Sequence, residues 1–447
     1  MTQRRNRREF LQTSGALGAG FFINASVPAI ARRSPNEQIS LAGVGCGGRG
    51  GGDIDESTGA GGVFAALCDV DRKSLEEKAK KHPKAKLYQD YRKMFDEMAK
   101  EIDAVTVGVA DHAHAAIALT AMRLGKHCYT EKPLTHDIWE AREMAKVARE
   151  KKLATQMGNQ GTSGKGLRRT VECIQAGTIG DAKEVHIWTN RPVWPQSPNI
   201  KARPKDEPVP EHINWDVWLG PAPERPYSSK YHPFKWRGWW DFGTGALGDM
   251  ACHTANVVYM ALKLTAPTHI EAESEEPNPE TYPAWAHVTY KFPRPGGGEP
   301  IMVHWYEGKK PSGERVLPNK ELYQGEKISD SGSMIIGAKG TMYSPNDYGE
   351  SVTWLPKKDF EGFKEPAPTL PRSPGHHPEW HAAIKGTGKS MSNFPDYAGP
   401  LTEFVLLGNV AIKLGKKLEW SAEKLEVTNC PDAAKLIKRD YRPGFGV

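Results

Sequence analysis

The chain has 447 residues, with 60 lysines and arginines against 54 aspartates and glutamates, for a formal net charge of +6. Residues 1–33 hold six arginines and one acidic residue, so the rest of the chain is nearly neutral and offers no basic surface for a nucleic acid. No apolar run approaches the roughly 18 residues that span a bilayer, and the length predicts more than one domain.

The first 33 residues have the pattern of an export signal. Arg7 and Arg8 precede Phe10, a mildly apolar stretch follows, and Ala29-Ile30-Ala31 ends it. The arginine pair followed by Phe-Leu resembles the twin-arginine signal. That resemblance implies a protein that folds in the cytoplasm and is then exported, so we expect a periplasmic location with the cofactor already bound.

The cysteines show neither a C-x-x-C motif nor the clustering typical of metal sites, and we expect six buried thiols.

A strand followed by a glycine-rich turn begins at residue 39. The apolar run Ile39 to Val44 leads into Gly45-Cys46-Gly47-Gly48-Arg49-Gly50, which has the spacing G-x-G-x-x-G. After a strand, this spacing predicts a dinucleotide site, because the glycines permit a tight turn and a close approach of the backbone to the pyrophosphate. An overlapping register through Gly43, Gly45 and Gly48 also fits, but it leaves a shorter strand.

A second apolar run, from Val63 to Cys68, ends at Asp69, nineteen residues after Gly50. A carboxylate at this position accepts the hydroxyls of the adenosine ribose, which favours NAD. Arg49 and Arg72 leave NADP open, since a nearby guanidinium can hold a 2′-phosphate.

Strand and helix patterns alternate as far as Gln156, which predicts a parallel sheet. Ligands bind such sheets at the carboxyl ends of the strands, so Asp111-His112-Ala113-His114 and Glu131-Lys132-Pro133 are candidate site segments. We expect a Rossmann NAD(P)-binding domain over residues 34–157 and a second domain over residues 158–447.

These motifs resemble the glucose-fructose oxidoreductase, inositol dehydrogenase and rhizopine catabolism (Gfo/Idh/MocA) family. The resemblance rests on the glycine-rich turn, Asp69, the two segments above and Gly243 to His253, which reads GTGALGDMACH; Val109-Ala110 departs from the more usual Thr-Pro. It implies an oxidoreductase whose C-terminal α/β domain has a large, mostly antiparallel open sheet used for substrate and subunit contacts, hence a homo-oligomer. The expected cofactor contacts are Gly45, Gly47, Gly48, Arg49, Gly50, Asp69, Asp111, His114, Glu131 and Lys132.

The resemblance places the lysine of E-K-P and the pair of D-x-x-x-H in the active site, here Lys132, Asp249 and His253. Asp249 and His253 are four residues apart and would share one face of a helix. We expect His253 to take the hydroxyl proton, Asp249 to orient the substrate or the imidazole, and Lys132 to stabilise the alkoxide and lower the histidine pKa. The structural alternative is a capping aspartate, a packed histidine and an exposed lysine.

The substrate contacts are predicted from more dispersed signals. A Trp- and Pro-rich insert near residues 190–242 supplies aromatic faces that suit sugar rings, although its tryptophans could instead pack loops or a subunit interface. His377 and His381 are four apart without a complete metal ligand set, and Pro378 predicts a helix that starts after His377, so no metal is expected. The expected substrate contacts are Asn159, Gln160, Arg191, Trp194, His232 and His377.

Together these features predict an exported oxidoreductase acting on a sugar, cyclic polyol or glycoside. No free NAD pool is expected outside the cytoplasm, so the nicotinamide should stay bound and be reduced and reoxidised within one cycle. Oxidation of one sugar coupled to reduction of another satisfies this constraint, and so does an NAD-dependent glycosidase that works by transient oxidation and elimination. A non-catalytic sugar-binding protein on the same fold is a third alternative.

Overall fold

A six-stranded parallel sheet forms the N-terminal part of the structure, a computed structural model that describes residues 38–276 and 278–446. The predicted export signal lies outside these residues. The strand order is β3-β2-β1-β4-β5-β6, so the order reverses between β1 and β4, which is where a Rossmann sheet binds its ligand. The strands are β1 (Ser40–Val44), β2 (Val63–Cys68), β3 (Lys86–Tyr88), β4 (Ala104–Val107), β5 (His127–Thr130) and β6 (Thr155–Met157).

Five helices connect these strands: α1 (Gly48–Gly59), α2 (Arg72–Ala79), α3 (Tyr91–Met98), α4 (His114–Arg123) and α5 (Ile138–Glu150). Aspartates cap three of them, and Asp137 forms a capping box with Glu140 at the start of α5. The predicted alternation of strands and helices is confirmed as far as residue 157.

The second sheet has nine strands in the order β13-β12-β11-β7-β10-β9-β8-β14-β15. Its pairs are antiparallel except for β7 with β10, so the predicted fold class is confirmed. The strands are β7 (Ala182–Trp188), β8 (His269–Ser274), β9 (Trp285–Phe292), β10 (Ile301–Gly308), β11 (Gly332–Gly337), β12 (Thr341–Ser344), β13 (Thr353–Leu355), β14 (Leu418–Ser421) and β15 (Glu426–Val427).

The remaining α-helices of the described chain are α6 (Lys165–Gln175), α7 (Trp215–Leu219), α8 (Gly245–Thr254), α9 (Asn256–Leu262), α10 (His376–Ile384), α11 (Gly399–Leu414) and α12 (Ala434–Ile437). Helix α11 is buried from Leu401 to Ile412 and packs against α5, α8 and β8. It is therefore a core helix of the protein.

The Trp- and Pro-rich insert packs onto the Rossmann sheet. The Asn214 N–H donates to Val70 O, and the Arg72 N–H donates to His212 O. Most of its tryptophans are buried, and several indole N–H groups donate to backbone carbonyls. The structure therefore favours the packing alternative for these residues.

All six cysteines are free and buried, as predicted. Within the described ranges, no helix combines the length and apolar character needed to cross a membrane.

Several histidines are held neutral by their surroundings. Burial first of all lowers the pKa of His112, His186, His253 and His376 to about 3, and of His127 and His381 to about 4. His377 is the exception, because the Asp53 and Glu56 carboxylates outweigh burial and raise its pKa.

We expect the free energy of unfolding to decrease as the pH falls below about 6.5, the ordinary histidine pKa. A lowered folded-state pKa means that the unfolded chain binds more protons, so each such histidine contributes stability above about pH 6.5 that is lost on acidification, by up to about 1.4 kcal/mol per pH unit. His377 contributes with the opposite sign, and so do the carboxyls of Glu131, Asp137 and Glu307, whose pKa values are raised by burial; the six histidines outnumber these groups. Urea unfolding between pH 5 and pH 8 measures the slope of the free energy of unfolding against pH. His381→Gln should reduce this slope by up to the contribution of one proton. A slope of zero or of the opposite sign would contradict this account.

Candidate active site

A cavity of about 480 Å³ lies at the carboxyl ends of the Rossmann strands. One wall comes from the turn after β1, from Asp69 after β2, from residues after β4, and from Glu131 and Lys132 after β5. The opposite wall comes from the insert, through Trp218, His232 and Arg237 among others. Nine of the ten predicted cofactor contacts line this cavity; His114 does not.

The glycine-rich turn leaves room for a dinucleotide. Helix α1 begins at Gly48, Gly47 provides no side-chain cap, and the first turn carries no acid, so its N–H groups remain available to an anion. A Cβ on Gly50 would lie 2.4 Å from Gly108 O, so only glycine allows α1 to approach β4 this closely. These residues fit a bound pyrophosphate.

Asp69 lines the cavity directly after β2. Its carboxylate accepts the N–H groups of Cys46 at 2.6 Å and of Asp71 at 2.8 Å. Burial raises its pKa, although these N–H donors oppose the shift. A 2′-phosphate would meet the carboxylates of Asp69 and Asp71, both on the cavity wall.

Neither arginine that left NADP open is placed to hold a 2′-phosphate. Arg49 binds Asp53, Glu56 and Glu131 at 2.7, 3.0 and 3.2 Å. Arg72 points to Glu76 at 4.0 Å and is 47% exposed. The geometry therefore favours NAD.

Lys132 and Asp249 form the central ion pair. The Lys132 ammonium donates to Asp249 O at 2.8 Å and to Asp249 Oδ1 at 2.7 Å. Burial opposes the charge on Lys132, but the Asp249 and Glu131 carboxylates outweigh it and raise the lysine pKa. Burial likewise opposes the charge on Asp249, but Lys132 and Arg237 lower its pKa. Both groups are therefore charged, and an exposed lysine is excluded.

His253 lies one turn after Asp249 on α8, as the spacing predicts. Its side chain is buried, and Nδ1 has no hydrogen-bond partner in the described chain. Burial first, and then the Lys132 cation, lowers its pKa to about 3. The imidazole is neutral at physiological pH and can accept a proton. Its ring meets Tyr348 with centroids 4.9 Å apart, while neither residue lines the cofactor cavity.

Asp111 and His114 follow β4 but have different surroundings. Asp111 lines the cavity, accepts the Thr244 hydroxyl at 2.6 Å, and has its pKa raised by burial. The His114 ring nitrogens lie 2.9 Å from Pro133 O and 3.2 Å from Val109 O. His114 thus braces the loops after β4 and β5 instead of facing the cofactor cavity as expected.

Three predicted substrate residues belong to the insert or its edge. His232 lines the cavity. Trp194 is 5% exposed and donates its N–H to Gln196, so its ring faces protein. Arg191 bonds the side chain of its neighbour Asn190 and does not line the cavity.

Asn159 and Gln160 lie directly after β6, and each side chain has a hydrogen-bond partner within the protein, although Asn159 Nδ2 has none in the described chain. Asn159 is fully buried and its Oδ1 accepts the Ser392 hydroxyl. Gln160 donates to Glu131 Oε1 at 2.9 Å. Asn159 therefore supports the junction, and Gln160 orients the carboxylate next to Lys132.

His377 does not lie at the cofactor cavity. Helix α10 starts at His376, so His377 lies inside it, and the start predicted from Pro378 is wrong. The His377 ring stacks on Tyr129 at 4.4 Å, and Nε2 lies 3.1 Å from Glu56.

The ligand atoms of Asp53, Glu56 and His377 lie within 4.8 Å of one another. However, Arg49 binds the same two carboxylates, so Asp53 and Glu56 already pair with Arg49 and His377. The group is therefore an ion-pair cluster. His381, four residues on, turns its Nδ1 to Ala60 O.

Sequence reasoning missed several residues at this site, among them Phe234, Arg237, Thr244 and Tyr348. Arg237 Nε lies 3.4 Å from Asp249 Oδ1. Thr244 lies within a motif that the sequence did single out. Phe234 and Arg237 belong to the insert and Tyr348 to the loop after β12, with no local pattern that indicates a site.

Two family models match the chain. One, described as "Oxidoreductase family, NAD-binding Rossmann fold", matches residues 15–159, and the other, "Oxidoreductase family, C-terminal alpha/beta domain", matches residues 167–307. Together they cover more than half of the chain.

Curated relatives match over shorter stretches. An inositol 2-dehydrogenase/D-chiro-inositol 3-dehydrogenase from Lacticaseibacillus casei is 30% identical over 146 residues, 32% of this chain and 42% of the relative. A glycosyl hydrolase family 109 protein from Solibacter usitatus is 30% identical over 159 residues, 32% of this chain and 36% of the relative. The chain spans less than half the length of these relatives.

Solved structures share the fold at low identity. The WlbA dehydrogenase from Bordetella pertussis, in complex with NADH and UDP-GlcNAcA, has a TM-score of 0.59 at 14% identity and covers 87% of this chain and 100% of its own. An inositol dehydrogenase homologue from Azotobacter vinelandii, complexed with NADH and myo-inositol, has a TM-score of 0.57 at 15% identity, covering 86% and 98%.

Since both family models match in chain order and the cavity has the residues of a nicotinamide dinucleotide site, the chain belongs to the Gfo/Idh/MocA oxidoreductase family, with NAD as its cofactor.

Proposed function

We propose that this protein is an NAD-dependent oxidoreductase that acts on a CH–OH group of a sugar, cyclic polyol or glycoside. One observation carries the proposal. The charged pair of Lys132 and Asp249 lines the NAD cavity, and Asp249 lies one helical turn before the neutral, buried His253. When bound, NAD supplies the hydride acceptor.

The protein groups supply the proton chemistry. His253 is neutral and accepts the substrate hydroxyl proton. The Lys132 ammonium, whose pKa is raised, stabilises negative charge as it develops on that oxygen. Asp249 holds the ammonium in place through both its backbone oxygen and Oδ1. Arg237 shares Oδ1, which restrains the pair from the side of the insert.

The substrate class is supported by the relatives. The Lacticaseibacillus casei relative is named for two inositol dehydrogenations, and the Azotobacter vinelandii structure contains myo-inositol. A polyhydroxylated ring is therefore the substrate that we propose.

A second candidate function is hydrolysis of a glycoside. The Solibacter usitatus relative, named as a glycosyl hydrolase, favours it. Bound NAD would accept a hydride and give it back within one turnover. The transient oxidation would acidify the neighbouring C–H bond and permit elimination of the aglycone, and water would then add at the carbon that lost it. The net reaction is hydrolysis without release of NADH.

We further propose that the protein is exported by the twin-arginine route and keeps its nucleotide. The arginine pair and the A-x-A segment support export. Retention is supported by the insert, because Trp218, His232 and Phe234 line the cavity together with the glycine-rich turn.

We expect His253→Asn to lower turnover by about 100-fold or more, because it removes the base. Lys132→Met should lower turnover comparably and also lower the unfolding temperature, because Asp249 loses a buried partner. The assays are run below the unfolding temperature of each variant. One follows NADH formation from myo-inositol, and the other follows nitrophenol release from 4-nitrophenyl α-N-acetylgalactosaminide.

Lys146→Met, at a lysine side chain that is 62% exposed, serves as the control. It should give the wild-type rate in each assay. Release of nitrophenol without net NADH would select the hydrolase, whereas wild-type turnover in His253→Asn would remove the catalytic assignment.

We expect protein purified without added cofactor to contain nearly one NAD per chain. Asp69→Ala should lose most of it, because the ribose hydroxyls lose their acceptor. Mass analysis of the supernatant after denaturation measures the nucleotide, with the exposed Asp96→Ala as control. Wild-type protein free of nucleotide would count against retention and would point to an external NAD pool.

We expect residues 1–36, fused to a folded reporter, to direct it to the periplasm of a host with a twin-arginine pathway. Exchange of Arg7 and Arg8 for lysines should keep the reporter in the cytoplasm. Cell fractionation measures the distribution, and export that survives the exchange would refute the proposed route.

A further inference from the structure

Few aromatic rings of the described chain are exposed enough to contact a ligand. The exposed ones are Phe234 (49%), Tyr348 (40%) and Phe363 (36%). Phe363 packs with Trp354 and Phe360. The tryptophans of the insert, for which the sequence leaves a sugar-binding role and a packing role open, are mostly buried. They therefore offer little exposed aromatic surface to a substrate.

Tyr348 lies beside the proposed base. Its ring meets the His253 ring edge-on, at 4.9 Å between centroids and an interplanar angle of 64°. This contact uses one part of the ring and leaves the side chain 40% exposed. Phe234, by contrast, lines the cofactor cavity, so Tyr348 is the exposed aromatic on the His253 side of the site.

The loop that carries Tyr348 is held tightly in place. Asn346 Oδ1 accepts the N–H groups of Tyr348 at 3.1 Å and of Glu350 at 3.0 Å. The loop presses on the segment around α6, where a Cβ on Gly161 would lie 2.9 Å from Tyr348 O and one on Gly166 would lie 1.9 Å from Glu350 O. A half-exposed ring on a fixed loop is a feature of preorganised binding sites.

The charges of the active site reach the Tyr348 hydroxyl. Burial raises its pKa, the Asp347 and Glu131 carboxylates add to the shift, and Lys132 and Arg49 oppose it. The phenol therefore remains protonated and can donate a hydrogen bond at neutral pH.

We propose that Tyr348 is a substrate-binding residue whose free ring face packs on the apolar C–H face of a saccharide or cyclitol ring, while its hydroxyl donates to a hydroxyl of that ring. An aromatic side chain with a polar tip suits a ligand with an apolar face and a polar rim. The inference rests on the proposed function, because it places the substrate ring against His253. It narrows the substrate class to rings that present an uninterrupted C–H face to Tyr348.

The test is calorimetric titration of the NAD-loaded full chain with myo-inositol and with methyl α-N-acetylgalactosaminide. Tyr348→Ala should weaken binding of at least one ligand by about tenfold or more, as expected for the loss of about 1.4 kcal/mol. Tyr348→Phe keeps the ring and should weaken binding by about 2- to 10-fold, the range for one lost hydrogen bond. Phe363→Ala, at an exposed aromatic away from the site, should bind like the wild type.

Kinetics provide the second readout. Tyr348→Ala should raise KM in parallel with the loss of affinity, by about tenfold or more, while NAD content stays at the wild-type level. Equal affinities of wild type and Tyr348→Ala for both ligands would overturn the inference, as would the absence of any binding to the wild type.

Binding that falls in Tyr348→Ala while the wild type shows no turnover would leave the inference standing and reject the proposed reaction. Turnover that depends on His253, with unchanged affinity in Tyr348→Ala, would support the proposed reaction and overturn the inference about Tyr348.

Discussion

The buried ion pair between Lys132 and Asp249 connects the Rossmann sheet to the part of the molecule that carries the second sheet. Lys132 follows β5 of the Rossmann sheet, and Asp249 lies on α8 beneath the second sheet, so one ion pair joins the end of the NAD cavity to the other half of the molecule. Burying two charges is costly unless the geometry is good and further hydrogen bonds compensate. Here the ammonium has both a carboxylate and a backbone oxygen, and the carboxylate has Arg237 as a second cation.

Burial has the largest effect on the protonation state of His253. Burial disfavours the imidazolium, the Lys132 cation adds to this effect and the Asp249 carboxylate opposes it, so the lowered pKa keeps His253 neutral. A proton acceptor therefore lies one helical turn after Asp249, whose partner, the Lys132 ammonium, does not lose its own proton. This separation of roles between two adjacent groups is what proton abstraction from a carbinol requires.

Around this ion pair, several polar side chains stabilise the loops and helices that form the walls of the site. His114 braces the loops after β4 and β5, and Thr244 ties Asp111 to the start of α8. Arg49 joins α1 to Glu131, next to Lys132, and His377 extends that cluster to α10. Several residues that look like ligand contacts in the sequence hold the walls of the site instead, so it is the backbone and a few side chains that face the cavity.

The sequence by itself determined the strand–helix alternation, the glycine-rich turn, the position of Asp69 and the spacing of Asp249 and His253. Each of these features depends on residues close together in the chain, whose periodicity reflects the local backbone. Only the tertiary structure decided that most tryptophans of the insert are buried, that His377 packs on α1, and that Arg237 and Tyr348 reach Asp249 and His253. Most of these contacts join segments far apart in sequence, and even the short separation from Arg237 to Asp249 depends on how the insert folds back. Local patterns carry no information about which distant side chains meet.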